Sequence, residues 1–169
     1  MRTWYAIQTK GRQEAVAEEN LARQGFVVHL PLLRAPKRRR GKWLNVVEPL
    51  FPGYLFVELD LAVDNPAPIR STRGVIGLVR FGGHSAPMPE GVVERLIAAA
   101  RRADDGTVRC EHLFEAGDWV EVVDGPLVGL RAVFLASSGD ERVRLLLDLL
   151  GREHSVVLER HQVIPASQA

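Results

Sequence analysis

Apolar positions in the N-terminal part of the chain fall into short strand-like runs and longer helical stripes. Trp4 to Thr9 is aromatic-rich and bounded by Lys10-Gly11, which predicts a strand. Gln13 to Gln24 is rich in Ala and Glu, with Ala17 and Leu21 about one turn apart and Gly25 where a helix stop is expected. Phe26 to Leu30, Trp43 to Val47, Tyr54 to Leu59 and Val75 to Phe81 read as further strands, separated by Pro, Gly and Asp. A second helix is predicted over Glu90 to Arg102. There Val92, Val93, Leu96, Ile97 and Ala100 form one apolar stripe, and Arg101-Arg102 complement the negative end of the helix dipole. Strands joined by hairpin-like gaps and flanked by helices argue an α+β fold, an antiparallel sheet covered by helices, over residues 1–102.

Residues 103–113 carry no sustained periodicity and read as a linker. Residues 114–169 form a candidate second domain with two readings. In the first, Gly117 to Pro126 alternates and ends in an Asp-Gly-Pro turn. With Leu130 to Ala136, Arg142 to Leu150 and His154 to Leu158 it makes a small barrel of about five short strands. In the second, Leu145, Leu146, Leu149 and Leu150 make a helical stripe, and Leu127, Leu130 and Phe134 repeat at helical spacing. Leucine favours helix, Pro126 suits a first helical turn, and Gly125 and Gly129 would each cost the helix about 1 kcal/mol if internal. The pattern admits both states.

The segment Glu48-Pro49-Leu50-Phe51-Pro52-Gly53-Tyr54-Leu55-Phe56-Val57-Glu58 holds more large apolar side chains than one face of a strand can absorb. Rings left in water forfeit roughly 1.5–3 kcal/mol apiece, so Phe51, Tyr54 and Phe56 either fill a core or form a surface that needs a partner or a covering segment.

Composition adds bounds. The chain has 169 residues, 46% hydrophobic and 25% charged, as an ordinary globular protein does. No run approaches the roughly 18 apolar residues of a membrane helix, and the start lacks a secretory leader, so a cytoplasmic protein without membrane contact is expected. The lone Cys110 excludes an intramolecular disulfide. A net charge of +1 conceals a basic cluster, Arg34, Lys37, Arg38, Arg39, Arg40 and Lys42, which reads either as a solvated hairpin tip or as a phosphate-binding surface. His154 and His161 lack partners at metal-ligand spacing, and His29, His84 and His112 fall in different elements with no nucleophile motif, so no enzyme site, metal or cofactor is expected. Gly82-Gly83 reads as a turn rather than a phosphate loop.

Trp4-Tyr5, the Glu48 to Val57 segment, Thr72-Arg73-Gly74-Val75 with Val79-Arg80-Phe81-Gly82, and Gly117-Asp118 to Gly129 occur in an order that resembles the NusG family of transcription elongation factors over nearly the whole chain. The C-terminal part resembles that family's KOW module, with Asp124-Gly125-Pro126 and Gly129 at a tight turn. Arg40-Gly41-Lys42 ahead of Glu48, and Arg142 ahead of Leu145 to Leu149, are most similar to the specialised RfaH branch.

The resemblance implies a transcription antitermination factor, expected as a monomer, that binds the clamp helices of the largest RNA polymerase subunit through Phe51, Pro52, Tyr54, Phe56 and Phe81. It would suppress pausing and termination, and its C-terminal domain would couple transcription to translation with ribosomal protein S10 as a partner. It would read the exposed non-template DNA strand through Lys10, Arg12, Asn20, Arg70, Thr72 and Arg73. Two departures bear on recognition: Val16 and Asn20 stand where an arginine and a histidine are expected, and Asn65-Pro66-Ala67-Pro68 replaces a hydroxyl-rich stretch. The RfaH branch further implies a C-terminal domain that is either an α-helical hairpin docked on the N-terminal domain, an autoinhibited state, or a KOW β-barrel when released. Docking would use a Glu48–Arg142 ion pair and the side chains Leu145, Leu146 and Leu149. The alternatives are a general NusG-type factor with a constitutive barrel and a KOW RNA-binding or ribosome-associated protein.

Overall fold

The computed structural model describes residues 1–108, 126–136 and 138–152. In chain order these form β1 (Thr3–Thr9), α1 (Glu14–Arg23), β2 (Val27–His29), β3 (Leu32–Arg39), β4 (Lys42–Pro49), β5 (Tyr54–Leu59), α2 (Ala67–Arg70), β6 (Val75–Leu78), β7 (Arg80–Phe81), β8 (His84–Ser85), α3 (Val92–Arg102) and α4 (Pro126–Leu135). A further helix, α5, covers residues 139–152.

The main sheet is antiparallel with strand order β2-β5-β1-β6. Period-two alternation splits its side chains between two cores. Ile7, Leu55, Val57 and Leu59 meet Ala17 and Leu21 of α1 and Ile69 of α2 on one face. Trp4, Ala6 and Phe56 face the other way and meet Val92, Val93, Leu96 and Ala99 of α3. That second core also contains Leu50, Phe51 and the apolar side of α4 and α5. The molecule is thus a helix-covered antiparallel sheet of mixed α+β content.

Two expectations need correction. The basic run is more than a hairpin tip: Leu32–Arg39 is a full strand, β3, paired with β4 over eight residues as a separate ribbon. A two-stranded ribbon has only edges, and there a proline such as Pro36 is tolerated. The single strand expected over Val75 to Phe81 divides. A register shift at Gln8/Thr9 loosens the ladder, β6 ends at Leu78, and Arg80–Phe81 folds back onto β8 through Gly82 and Gly83, both at positive φ. Of the two readings left open for Leu130 to Ala136 and Arg142 to Leu150, strand or helix, the described residues take the helical one, α4 and α5. The other barrel strands, Gly117 to Pro126 and His154 to Leu158, lie outside the described residues except for Pro126, as do Cys110, His112 and His161.

Residues 103–108 are fastened to β3. The Val108 amide donates to Leu32 O at 2.7 Å, Arg34 pairs with Asp105 at 2.6 Å, and Thr107 and Val108 are fully buried. The Thr107 hydroxyl and amide, then Arg34, hold the Asp105 carboxyl well below the usual carboxylate range.

Candidate functional site

The Phe51-Pro52-Gly53-Tyr54 segment is a β-turn closed by Tyr54 N–H donating to Phe51 O at 3.0 Å. Proline at the second position and glycine at φ +85° in the third make it type II, which a side chain at position 53 would strain. Two further bonds lock it. Gly53 N–H donates to the buried Glu14 carboxylate at 2.9 Å, and Thr9 N–H donates to Gly53 O at 2.7 Å.

The turn delivers Phe51 edge-on to Phe56, with ring centroids 5.8 Å apart and planes at 86°. Both rings are buried; Tyr54 and Phe81 are half-buried against the same cluster, and Pro52 is half-buried. Burial pushes the Tyr54 hydroxyl above its ordinary pKa.

The helical pair belongs to this cluster. Leu130 and Val133 of α4 and Leu146, Leu149 and Leu150 of α5 are buried in it, and Phe134, Val143 and Leu145 are partly buried against it. The approach is close at Gly139, where an added Cβ would lie 2.7 Å from Pro52 Cγ. Among the leucines expected at this contact, Leu146 and Leu149 are buried and Leu145 sits at the margin.

Arg142 fixes the pair. Its side chain is 2% exposed, with Nη2 donating to Glu48 Oε1 at 2.9 Å and Nε to Leu50 O at 2.7 Å. The other Glu48 oxygen takes Lys37 Nζ at 2.6 Å. Desolvation raises the Glu48 pKa, but the hydrogen bonds and charges of Lys37 and Arg142 outweigh it and bring the carboxyl below its ordinary value. Lys37 is a third member of this group that the sequence reading did not include.

The residues expected at DNA are only partly assembled. Lys10 N–H donates to Gly74 O at 2.9 Å, which sets exposed Lys10 and Arg12, just after β1, beside exposed Arg73, just before β6. Gly74 makes this junction possible. It has φ +87°, and an added Cβ would meet Ala17 N at 3.1 Å and Gln13 O at 3.2 Å. Arg70 lies apart, lining an open depression with Gln8, Ile76 and Arg80. Thr72 does not present its hydroxyl to solvent: it is buried, donating to Pro68 O at 2.8 Å and accepting from Gln24 at 2.7 Å. The Asn20 amide donates to Val16 O at 2.7 Å, within its own helix. The Asn65 to Pro68 stretch opens the short helix α2, with Asn65 Oδ1 accepting from Ala67 N–H.

Among the described residues no group of His, Cys, Asp and Glu is arranged to hold a metal ion, and no helix is long and apolar enough to cross a membrane.

A family model described as transcription termination factor nusG matches residues 2–97. The chain is 30% identical to transcription termination/antitermination protein NusG of Thermus thermophilus, covering 96% of this chain and 98% of that protein. It is also 30% identical to the proteins of that name from Deinococcus radiodurans, covering 95% and 97%, and Lactococcus lactis, covering 95% and 91%. A solved structure titled domain interaction in Thermotoga maritima NusG overlaps at a TM-score of 0.40 and 23% identity, over 62% of this chain and 60% of that one. On the family model and the full-length relatives together, the chain belongs to the NusG family.

Proposed function

We propose that this chain is a transcription elongation and antitermination factor of the RfaH kind, in which α4 and α5 are an autoinhibitory cover over the surface that binds RNA polymerase. The observation that carries the reading is the burial of Phe51 beneath Leu146, Leu149 and Leu150 in one cluster, pinned by Arg142 on Glu48. In the open state Phe51, Pro52, Tyr54, Phe56 and Phe81 dock on the clamp helices of the polymerase, where aromatic rings make good anchors.

The domains are residues 1–102, a linker at 103–113 and a KOW module at 114–169 that becomes a barrel on release and contacts ribosomal protein S10. The outer side of α4 supports a second packing: Val128 and Leu135 are exposed on a helix that also contains Gly129, and a helix committed to this position would carry polar residues there. Lys10, Arg12 and Arg73, with Arg70 and Asn20, contact the non-template DNA strand, and buried Thr72 positions Arg73. The factor works as a cytoplasmic monomer and performs no catalysis.

Capture on core RNA polymerase tests the reading. The full chain is expected to bind weakly and a chain ending at Val108 to bind well, with binding lost again on Tyr54→Ala or Phe51→Ala. Equal capture of the full and shortened chains would overturn the cover. The names of the full-length relatives favour a second reading, a general NusG-type factor with a constitutive barrel. Circular dichroism separates the two: a β-rich C-terminal segment both alone and within the full chain supports the second.

A further inference from the structure

The β3–β4 ribbon carries a charge and an aromatic ring that neither the covered face nor the β6 edge uses. Its base is electrically balanced, with Arg34 on Asp105 and Lys37 on Glu48. Its tip is not. Among the described residues no carboxylate pairs with Arg38, Arg39, Arg40 or Lys42, and all four are exposed. The register places Arg38 directly opposite Trp43, so a guanidinium and an indole stand side by side on one face of the ribbon.

Trp43 is 70% exposed, and Asn45 and Val47 continue the same exposed face. Solvating a charged tip needs no tryptophan. A cationic ribbon that also leaves an indole in water has the two components of a surface for unpaired nucleic acid, phosphate neutralisation and a stacking platform. The turn points the same way. Arg40 and Gly41 both have positive φ, at 51° and 78°, so the chain places an arginine where Asn, Asp or Gly fits with less strain.

We infer that this tip binds single-stranded RNA, with a base stacked on Trp43, the adjoining phosphate held by Arg38 on the same face, and Arg40 at the turn with Arg39 and Lys42 on the other face adding positive charge along the strand's path. A duplex hides its base faces, which argues against double-stranded DNA. The non-template DNA strand is assigned to the β6 edge, whereas the ribbon follows β2 at the opposite edge of the β2-β5-β1-β6 sheet. The choice of RNA over single-stranded DNA rests on the function proposed above, since a transcribing complex supplies the unpaired transcript.

Fluorescence anisotropy of the full chain with a labelled twelve-nucleotide oligo-U, without polymerase, tests it. Trp43→Ala is expected to weaken RNA binding by about tenfold or more and Trp43→Phe to retain most of it. Replacing all four tip cations with glutamine is expected to flatten the salt dependence, by about 0.7 in the log–log slope for each phosphate that is no longer neutralised. RNA affinity unchanged in Trp43→Ala, or duplex DNA bound as tightly with the same dependence on Trp43, would overturn the inference. Tighter binding of the DNA strand of equivalent sequence would overturn the choice of RNA. The polymerase capture above depends on Phe51 and Tyr54, so the two readings fail separately.

Discussion

The Arg142 guanidinium, 2% exposed, is held by Glu48 at 2.9 Å, which joins α5 to the β3–β4 ribbon. Removing one member of a buried pair strands the other, typically at about 3–5 kcal/mol. Arg142→Ala and Glu48→Ala are therefore each expected to speed amide exchange over residues 139–152 while leaving β1 and β5 protected. Arg142→Met, which keeps the volume without the charge, is expected to loosen α5 less than alanine does.

The same pair sets an acid limit. The folded Glu48 carboxyl titrates below its ordinary 4.5, so the stabilisation is present above that value and is lost as pH falls through the lower folded value. Protection of α5 is expected to be level from pH 7 to 5 and to fall below about pH 4.5, more weakly in Glu48→Gln.

His29 acts over a different window. Burial, then the charge of Arg101, lowers its pKa from 6.5 to about 4. Between those values the unfolded chain binds a proton that the folded chain refuses, so stability is complete above 6.5 and declines toward 4, by at most about 3 kcal/mol. His29→Phe is expected to remove that decline, as read from urea midpoints at pH 7.5 and 5. Its Nε2 has no hydrogen-bond partner among the described residues, so the ring loses no bond on replacement.

Gly74→Ala is expected to destabilise the fold by about 2 kcal/mol or more, because a left-handed backbone and a close approach to α1 act at one residue. Arg73→Ala next to it should leave thermal stability unchanged, which separates the structural part of this motif from its exposed part.

Arg40→Asn is expected to slow amide exchange in the β3–β4 ribbon, corresponding to a local gain of about 0.5–1 kcal/mol, because Asn tolerates the left-handed conformation better than Arg.

The sequence was most legible where one physical pattern had one solution. Tyr54–Leu59 alternates cleanly between two cores, and its strand ends where the alternation does. β3 escaped notice because a ribbon flanked mostly by solvent needs no apolar face, and Pro36 with a run of cations reads as loop. The leucines of α5 fit strand and helix alike, so neighbours decide. They bury against Leu50 and Phe51, which sequence spacing cannot bring to them. Lys37 was hidden for a similar reason: only the β3–β4 register, with Leu33 opposite Glu48, puts it on the same face as that carboxylate. Thr72 looked available because hydroxyls usually are, yet Pro68 O and Gln24 had already claimed it.

The Phe51 to Tyr54 turn is tied to β1 through Thr9 and to α1 through Glu14, and neither tie involves α4 or α5. On the function proposed above, lifting the helices away would expose a turn already held in place, not a loop that must first be ordered. A partner arriving there would lose little entropy to freezing Phe51 in place, and mutations in the helices should alter how often the surface is available while leaving its shape and intrinsic affinity unchanged.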